Sequence, residues 1–306
     1  IGVVLCPRHG NDAETLLAQA RMALEQARQA QVVTALFEPR SAAALSGFGL
    51  TAPAEGGPRV AFQPVMDLCE SGLSRLQIVA QGLSQTSDDF TPTDLGSPGQ
   101  ATRKDLLTHL TAAVDAALRC AQPWRQQGWV KRLSLALPGR LLDDAALAPT
   151  LIALLERHRW PARHFMVEAH AAAIAQRGGE VIEALARAGV ALVINDGGSG
   201  LALHMALAGL DPVAEVKFDV ATLDLLPRTE QRAAVVRALI ALARGWNARV
   251  VADGVDDLST LAWLRELGCD SATGAACGQA MQADQVRAWY TSHSDRPIGQ
   301  RQPVSR

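Results

Sequence analysis

Between Arg59 and Tyr290 the chain switches repeatedly between two hydrophobic periods. Short apolar, β-branched runs recur. Longer stretches separate them, with apolar residues every three or four positions, as in helices that bury one face. The predicted strands are Val60–Pro64, Arg75–Ala80, Arg132–Leu137, His164–Glu168, Ala191–Ile194, Glu215–Phe218, Arg249–Ala252 and a weaker Ser271–Thr273. The predicted helices are Arg103–Gln127, Leu141–His158, Gly179–Ala188, Gln231–Trp246 and Leu258–Leu267. Strands and helices alternating over about 235 residues predict an α/β protein, a (β/α)8 TIM-like barrel. An open doubly wound sheet is the alternative, but no GxGxxG turn follows the first strand.

Outside that region the pattern changes. Residues 1–39 read as a separate small α/β piece: a strand in "IGVVLCP", a turn in "RHGND", a helix capped by Asp12, and a closing strand in "VVTALFEP". Residues 40–58 are rich in Gly, Ala, Ser and Pro and read as a linker. The barrel is expected over 59–292 and a flexible tail over 293–306.

Composition narrows the function classes. The 306 residues are 48% hydrophobic and 20% charged, as in a soluble globular protein. A net charge of -2 gives no electrostatic basis for binding a nucleic acid polymer or an anionic membrane. No apolar run approaches the ~18 residues of a membrane span. The chain opens at Ile1 with no signal peptide and reads as a fragment of a longer protein. Its five cysteines are odd in number, scattered, and form no CxxC pair, so a reduced, cytoplasmic setting is expected, with any membrane tether lying upstream. The seven histidines show no metal-ligand spacing.

In a barrel of this type the chemistry gathers where strands end. Those positions hold Gln63, Gln77, Ala136, Glu168, Asn195, Asp196, Lys217, Asp219, Asp253 and Asp256. Lys217 is one of three lysines and lies inside the apolar strand "AEVKFD". A buried lysine needs acidic partners. It reads either as an ion pair with Asp219 or Glu168, or as the remnant of a polar pocket.

These blocks carry a resemblance. "FQPVMDL" resembles the opening Y/F-Q-P-I-V-D-L of the EAL family, whose members hydrolyse the bacterial messenger cyclic di-GMP. "RLSLALPGRLL", "FMVEAH", "NDGGSG", "VKFD" and "VADGVDD" resemble its N-I-S, L-E-I-T-E, D-D-F-G-T-G, L-K-I-D and A-E-G-V-E-T blocks in the same order, over roughly Val60 to Tyr290. "IGVVLCPRHGNDAETLL" and "ARMALEQAR" similarly resemble the C-terminal end of a GGDEF domain, a family that makes cyclic di-GMP. The GGDEF signature itself is absent from this sequence.

The resemblance implies a catalytic pocket in which acidic and amide oxygens hold Mg²⁺ or Mn²⁺, lower the pKa of a water and stabilise a phosphodiester transition state. The aligned positions depart from that set. The Glu of E-A-L falls on Gln77, and the arginine that follows falls on Gln81. The Asn of N-I-S falls on Ala136, and the second Glu of E-I-T-E on Ala171. The first Asp of D-D-F-G falls on Asn195. Glu168, Asp196, Lys217 and Asp219 are kept, and the acid of A-E-G-V-E is shortened to Asp253. The closing Q-G-Y…P is replaced by Thr273, Ala275 and Ala280.

Two carboxylates have become amides and one amide a methyl group, so a site meant for two dications has lost charge. The expectation is a catalytically inactive EAL-like domain with no intact catalytic residue and no resident cofactor. Mg or Mn would matter only if activity were retained, and Glu168, Asp196 and Asp253 form the remnant metal set. It would act as a regulatory or protein-interaction module toward other signalling proteins or its own upstream domains. The alternatives are a receptor that binds cyclic di-GMP without cleaving it, and an active phosphodiesterase. For ligand binding the candidates are Gln63, Arg140, Asp196, Lys217 and Asp219. The resemblance also implies a homodimer through the helical side near the D-D-F-G loop, a coupling that loses its supporting Glu at Ala171.

Overall fold

The computed structural model describes residues 2–3, 20, 35–36, 60–70, 72–80, 102–177, 179–196, 213–225 and 229–294. The chain divides into two compact units, Ile1–Gly47 and Phe48–Arg306. In the first, Gly2–Val3 pairs in parallel with Ala35–Leu36. The helix predicted after Asp12, the 40–58 linker and most of the 293–306 tail lie outside the described residues.

The second unit is a closed eight-stranded barrel. Its strands are β1 (Val60–Asp67), β2 (Leu73–Ala80), β3 (Leu133–Ala136), β4 (Phe165–His170), β5 (Ala191–Asp196), β6 (Glu215–Asp219), β7 (Arg249–Asp253) and β8 (Ser271–Ala272). They follow one another around the ring in sequence order. The helices are α1 (Arg103–Gln126), α2 (Leu147–Arg157), α3 (Ala171–Arg177), α4 (Glu180–Arg187), α5 (Thr229–Gly245), α6 (Leu258–Glu266) and α7 (Ala283–Ser294). All eight predicted strands are present.

The barrel departs from a uniform (β/α)8 ring at its first strand. β1 runs antiparallel to both neighbours, while β2 to β8 are mutually parallel. The reason is chain length. Only the turn between Asp67 and Leu73 joins β1 to β2, and a parallel crossover needs about a dozen residues or more. Asp67 holds that turn by accepting the backbone N–H groups of Cys69 and Glu70.

Alternation along the strands sorts the side chains. Leu76, Leu135, Val167, Leu192, Val216 and Val250 belong to one buried apolar cluster with α1 to α6. From the helices it takes Leu110 and Val114 of α1, Leu151 of α2, Leu185 of α4, Ile240 of α5 and Leu264 of α6. Local signals support these helices: Thr102 and Asp105 form a reciprocal capping box at the start of α1, and Asp257 caps α6. The intervening strand positions face the barrel axis, and several of them are polar and buried: Arg75, Gln77, Ser134, Glu168, Glu215, Lys217 and Ser271. The region predicted as one helix over Leu141–His158 is instead a 3-10 turn at Gly139–Leu141 followed by α2.

Candidate functional site

The barrel interior carries a continuous polar network. Lys217 projects from β6, fully buried, and its Nζ lies 3.1 Å from Glu168 Oε2 on β4. The same ammonium is 2.8 Å from Asp253 Oδ2 on β7 and donates to Gln77 Oε1 on β2 at 3.2 Å. Gln77 Nε2 approaches Glu168 Oε2 at 3.4 Å. The other oxygen of Glu168 accepts the Ser134 hydroxyl at 2.8 Å.

A second set of charges joins this group. Arg75 and Gln77 are two apart on β2, and Glu215 and Lys217 two apart on β6, so each pair shares the inner face. Arg75 Nη1 donates to Glu215 Oε2, its Nε donates to Ser134 Oγ at 3.1 Å, and its Nη2 lies 3.7 Å from Glu168 Oε1.

The charges hold each other ionised. Burial alone would push the Glu168 carboxyl up, but the Lys217 and Arg75 charges and the Ser134 hydrogen bond outweigh it and keep the pKa below the usual carboxylate range. Burial alone would likewise lower Lys217, yet Glu168 and Asp253 hold its pKa above the ordinary lysine value. Removing one member of such a buried set costs about 3–5 kcal/mol, because its partner stays behind unpaired.

Gln77, Glu168, Lys217 and Asp253 therefore come together. Ala136 is the register partner of Glu168, and Asn195 that of Lys217, which places both at the same end of the barrel. Lys217 pairs with Glu168 as expected, but the alternative pairing with Asp219 is not formed. Asp219 is exposed and accepts the Ala221 N–H at 2.8 Å, closing a turn beyond the strand. Asp256 accepts the Ala275 N–H at 3.1 Å and supports the Gly274–Gly278 turn. Gln63 is the register partner of Gln77 and is half-buried. Arg140 lies in the Gly139–Leu141 turn, half-buried and outside the network. The Asp196 backbone ends β5. Its side chain, the glycine-rich turn after it and Gln81 lie outside the described residues.

Sequence reasoning missed Arg75, Ser134 and Glu215 as site residues. The signal was available, since each shares an inner strand face with a residue already singled out or lies directly beside one.

The described residues do not fit a pair of divalent cations. A hard cation needs anionic oxygens with open lone pairs. Both oxygens of Glu168 are engaged by Ser134, Lys217 and Gln77. Gln77 points its carbonyl oxygen at an ammonium, and Ala136 offers no donor. Among the described residues, no three His, Cys, Asp or Glu side chains gather as metal ligands.

Comparison with known proteins agrees with the barrel. The EAL domain family matches residues 50–280. The bifunctional diguanylate cyclase/cyclic di-GMP phosphodiesterase MucR of Pseudomonas aeruginosa is 29% identical over 180 residues, covering 57% of this chain and 26% of that protein. An uncharacterised signalling protein of Caulobacter vibrioides is 26% identical over 310 residues, covering 95% of this chain and 37% of that protein. The chain thus spans between about a quarter and somewhat over a third of these relatives' length. Among solved structures, the PaMucR phosphodiesterase in complex with c-di-GMP shares the fold with a TM-score of 0.60 at 22% identity, over 88% of this chain and 98% of that one. The EAL domain of Mycobacterium smegmatis DcpA does so with a TM-score of 0.62 at 18% identity, over 76% and 97%. With the matched region covering most of the sequence, this chain belongs to the EAL domain family.

Proposed function

We propose that this is a catalytically inactive EAL domain that serves as a regulatory or protein-interaction module in bacterial cyclic di-GMP signalling. Its partners are other signalling proteins or its own upstream domains, in the cytoplasm. Residues 1–39 are the C-terminal end of a GGDEF-type domain in this reading, supported by their motif resemblance. The placement in cyclic di-GMP signalling is supported by family membership and by the named activities of relatives such as MucR.

One observation carries the inactivity: the carboxylate of Glu168 is consumed by internal donors. Its oxygens accept from Ser134, Lys217 and Gln77, so a catalytic cation would have to compete with these donors for the carboxylate. The exchanges at Gln77, Ala136 and Asn195 point the same way, because each removes a charge or a donor from the same barrel end. Titration of the purified protein with cyclic di-GMP, with and without Mg²⁺ or Mn²⁺, tests this. The expected result is no binding heat and no linear dinucleotide. Heat without product would replace the proposal with a receptor role, and product formed with Mn²⁺ would overturn it.

A further inference from the structure

The ligand exchanges explain a weakened metal site, but they do not account for Arg75. This guanidinium lies outside the family-like motif blocks and is fully buried inside the barrel. Its Nη2 makes no hydrogen bond although it is enclosed. That atom faces Glu168 Oε1 at 3.7 Å. An enclosed donor without a hydrogen-bond acceptor is costly, so the residue is not placed for its own best bonding.

Its Nε acts through a neighbour. A guanidinium can only donate, so the Ser134 oxygen must accept from Arg75 Nε, at 3.1 Å. The single hydroxyl proton of Ser134 is then free to point only elsewhere, and Glu168 Oε1 receives it at 2.8 Å. The relay from Arg75 through Ser134 to Glu168 has one direction. Each donor along it polarises the next. Glu168 Oε1 thus faces a directed hydroxyl and a second positive charge, while Lys217 and Gln77 hold Oε2. Lys217 belongs to a position that the family motif keeps, L-K-I-D. Arg75 lies outside the motif blocks that carry the resemblance.

We propose that Arg75 is a positioning residue that locks Glu168 into this closed arrangement and blocks capture of a divalent cation, even if the missing ligands are restored. This rests on the inactive reading above, and the test separates the two.

Manganese binding is measured by isothermal titration calorimetry on the full chain in four forms, with circular dichroism melting as a check of folding. The first is the wild type. The second carries Gln77→Glu, Ala136→Asn and Asn195→Asp. The third adds Arg75→Met with Glu215→Gln, removing the ion pair as a unit so that neither charge is stranded. The fourth adds Ser134→Ala to the second, cutting the relay while leaving the ion pair in place. Both the third and the fourth forms are expected to bind Mn²⁺ at least about tenfold more tightly than the second, from removal of a nearby cation or its relay. If the third form fails to fold, the fourth decides. Equal affinity in the second form and its folded derivatives overturns the role of Arg75 and leaves the inactive reading standing. Tight binding of two Mn²⁺ by the wild type overturns the inactive reading itself.

Discussion

The Lys217 ammonium sits 2.8 Å from the Asp253 carboxylate, bridging β6 and β7 at the end of the barrel where an EAL enzyme would work. Together with Glu168 and Gln77, it turns the centre of the site into an internal ion pair. Asp253, half-exposed, is the member of the group nearest to solvent, whereas Glu168 and Lys217 are sealed.

Replacing Lys217 with Met is expected to destabilise the protein by about 3–5 kcal/mol, because Glu168 is left charged and buried. Adding Glu168→Gln should recover much of that loss. Urea unfolding of the two single variants and the double variant gives the coupling directly. If the double variant loses the sum of the two single losses, the two residues are not coupled.

The pH dependence of Lys217 has a definite sign. Its folded pKa is raised above the unfolded value. The stability it contributes is therefore fully present below the ordinary lysine pKa of about 10.4 and is lost as pH rises through the folded value. Wild type should show this alkaline loss in melting temperature above about pH 10.4, and Lys217→Met should lack it.

Asp257 gives the opposite sign. Its carboxylate accepts from the Ser259 hydroxyl, from the Thr260 N–H at 2.8 Å and from the Thr260 hydroxyl at 2.7 Å. The side-chain bonds from Ser259 and Thr260 are the chief causes that lower its pKa to about 2. A depressed carboxylate stabilises the fold above its unfolded pKa, so this contribution should fade as pH falls from about 3.9 toward the folded value. Asp257→Ala should cost about 1 kcal/mol at neutral pH by loss of the helix cap, with the difference from wild type vanishing at the acid end. A constant difference across that range would refute the assignment.

Gly274 has φ of +141°, and a Cβ there would lie 2.4 Å from the Val255 backbone nitrogen and oxygen. No rotamer relieves a clash with backbone. Gly274→Ala should destabilise by about 2–4 kcal/mol, from strain and overpacking together. Thermal melting of the variant reads this, and an unchanged midpoint would show that the turn shifts freely.

Burial pushes the Cys269 thiol up to about 12, whereas Cys69 is exposed. A thiol reagent at pH 7 should modify Cys69 in the native protein and reach Cys269 only on unfolding, because the thiolate is the reactive form. Peptide mass mapping of the native and denatured reactions distinguishes them.

Much of the fold could be read in the sequence because buried strands announce themselves as apolar runs. Ala191–Ile194 and Arg249–Ala252 were placed to within two residues at either end of β5 and β7. The reversed direction of β1 was not read, because the predicted strands stopped at Pro64 and resumed at Arg75, which hid how short the turn between Asp67 and Leu73 is. The site was half visible. The cost of an isolated buried charge marked Lys217 as a residue needing an acidic partner, with Asp219 and Glu168 both open. The choice of Asp253 over Asp219 did not follow, because it depends on how adjacent strands are staggered around the ring. Arg75 was missed at the start of its predicted strand, although it lies two residues from Gln77 and so on the same strand face.

The closing joint of the barrel has a consequence for how it comes apart. β8 is two residues long and must meet a parallel neighbour, β7, on one side and the reversed β1 on the other. The strand itself gives only two register pairs on each side, and isolated backbone bonds such as Leu68 N–H to the Asp270 carbonyl and the Phe62–Met281 pair extend the joint. Thr273, just past the strand, adds one clasp by donating its hydroxyl to the Pro64 carbonyl at 2.9 Å. Amide exchange by opening of the wall should therefore begin at this suture, while the long β1–β2 hairpin stays zipped.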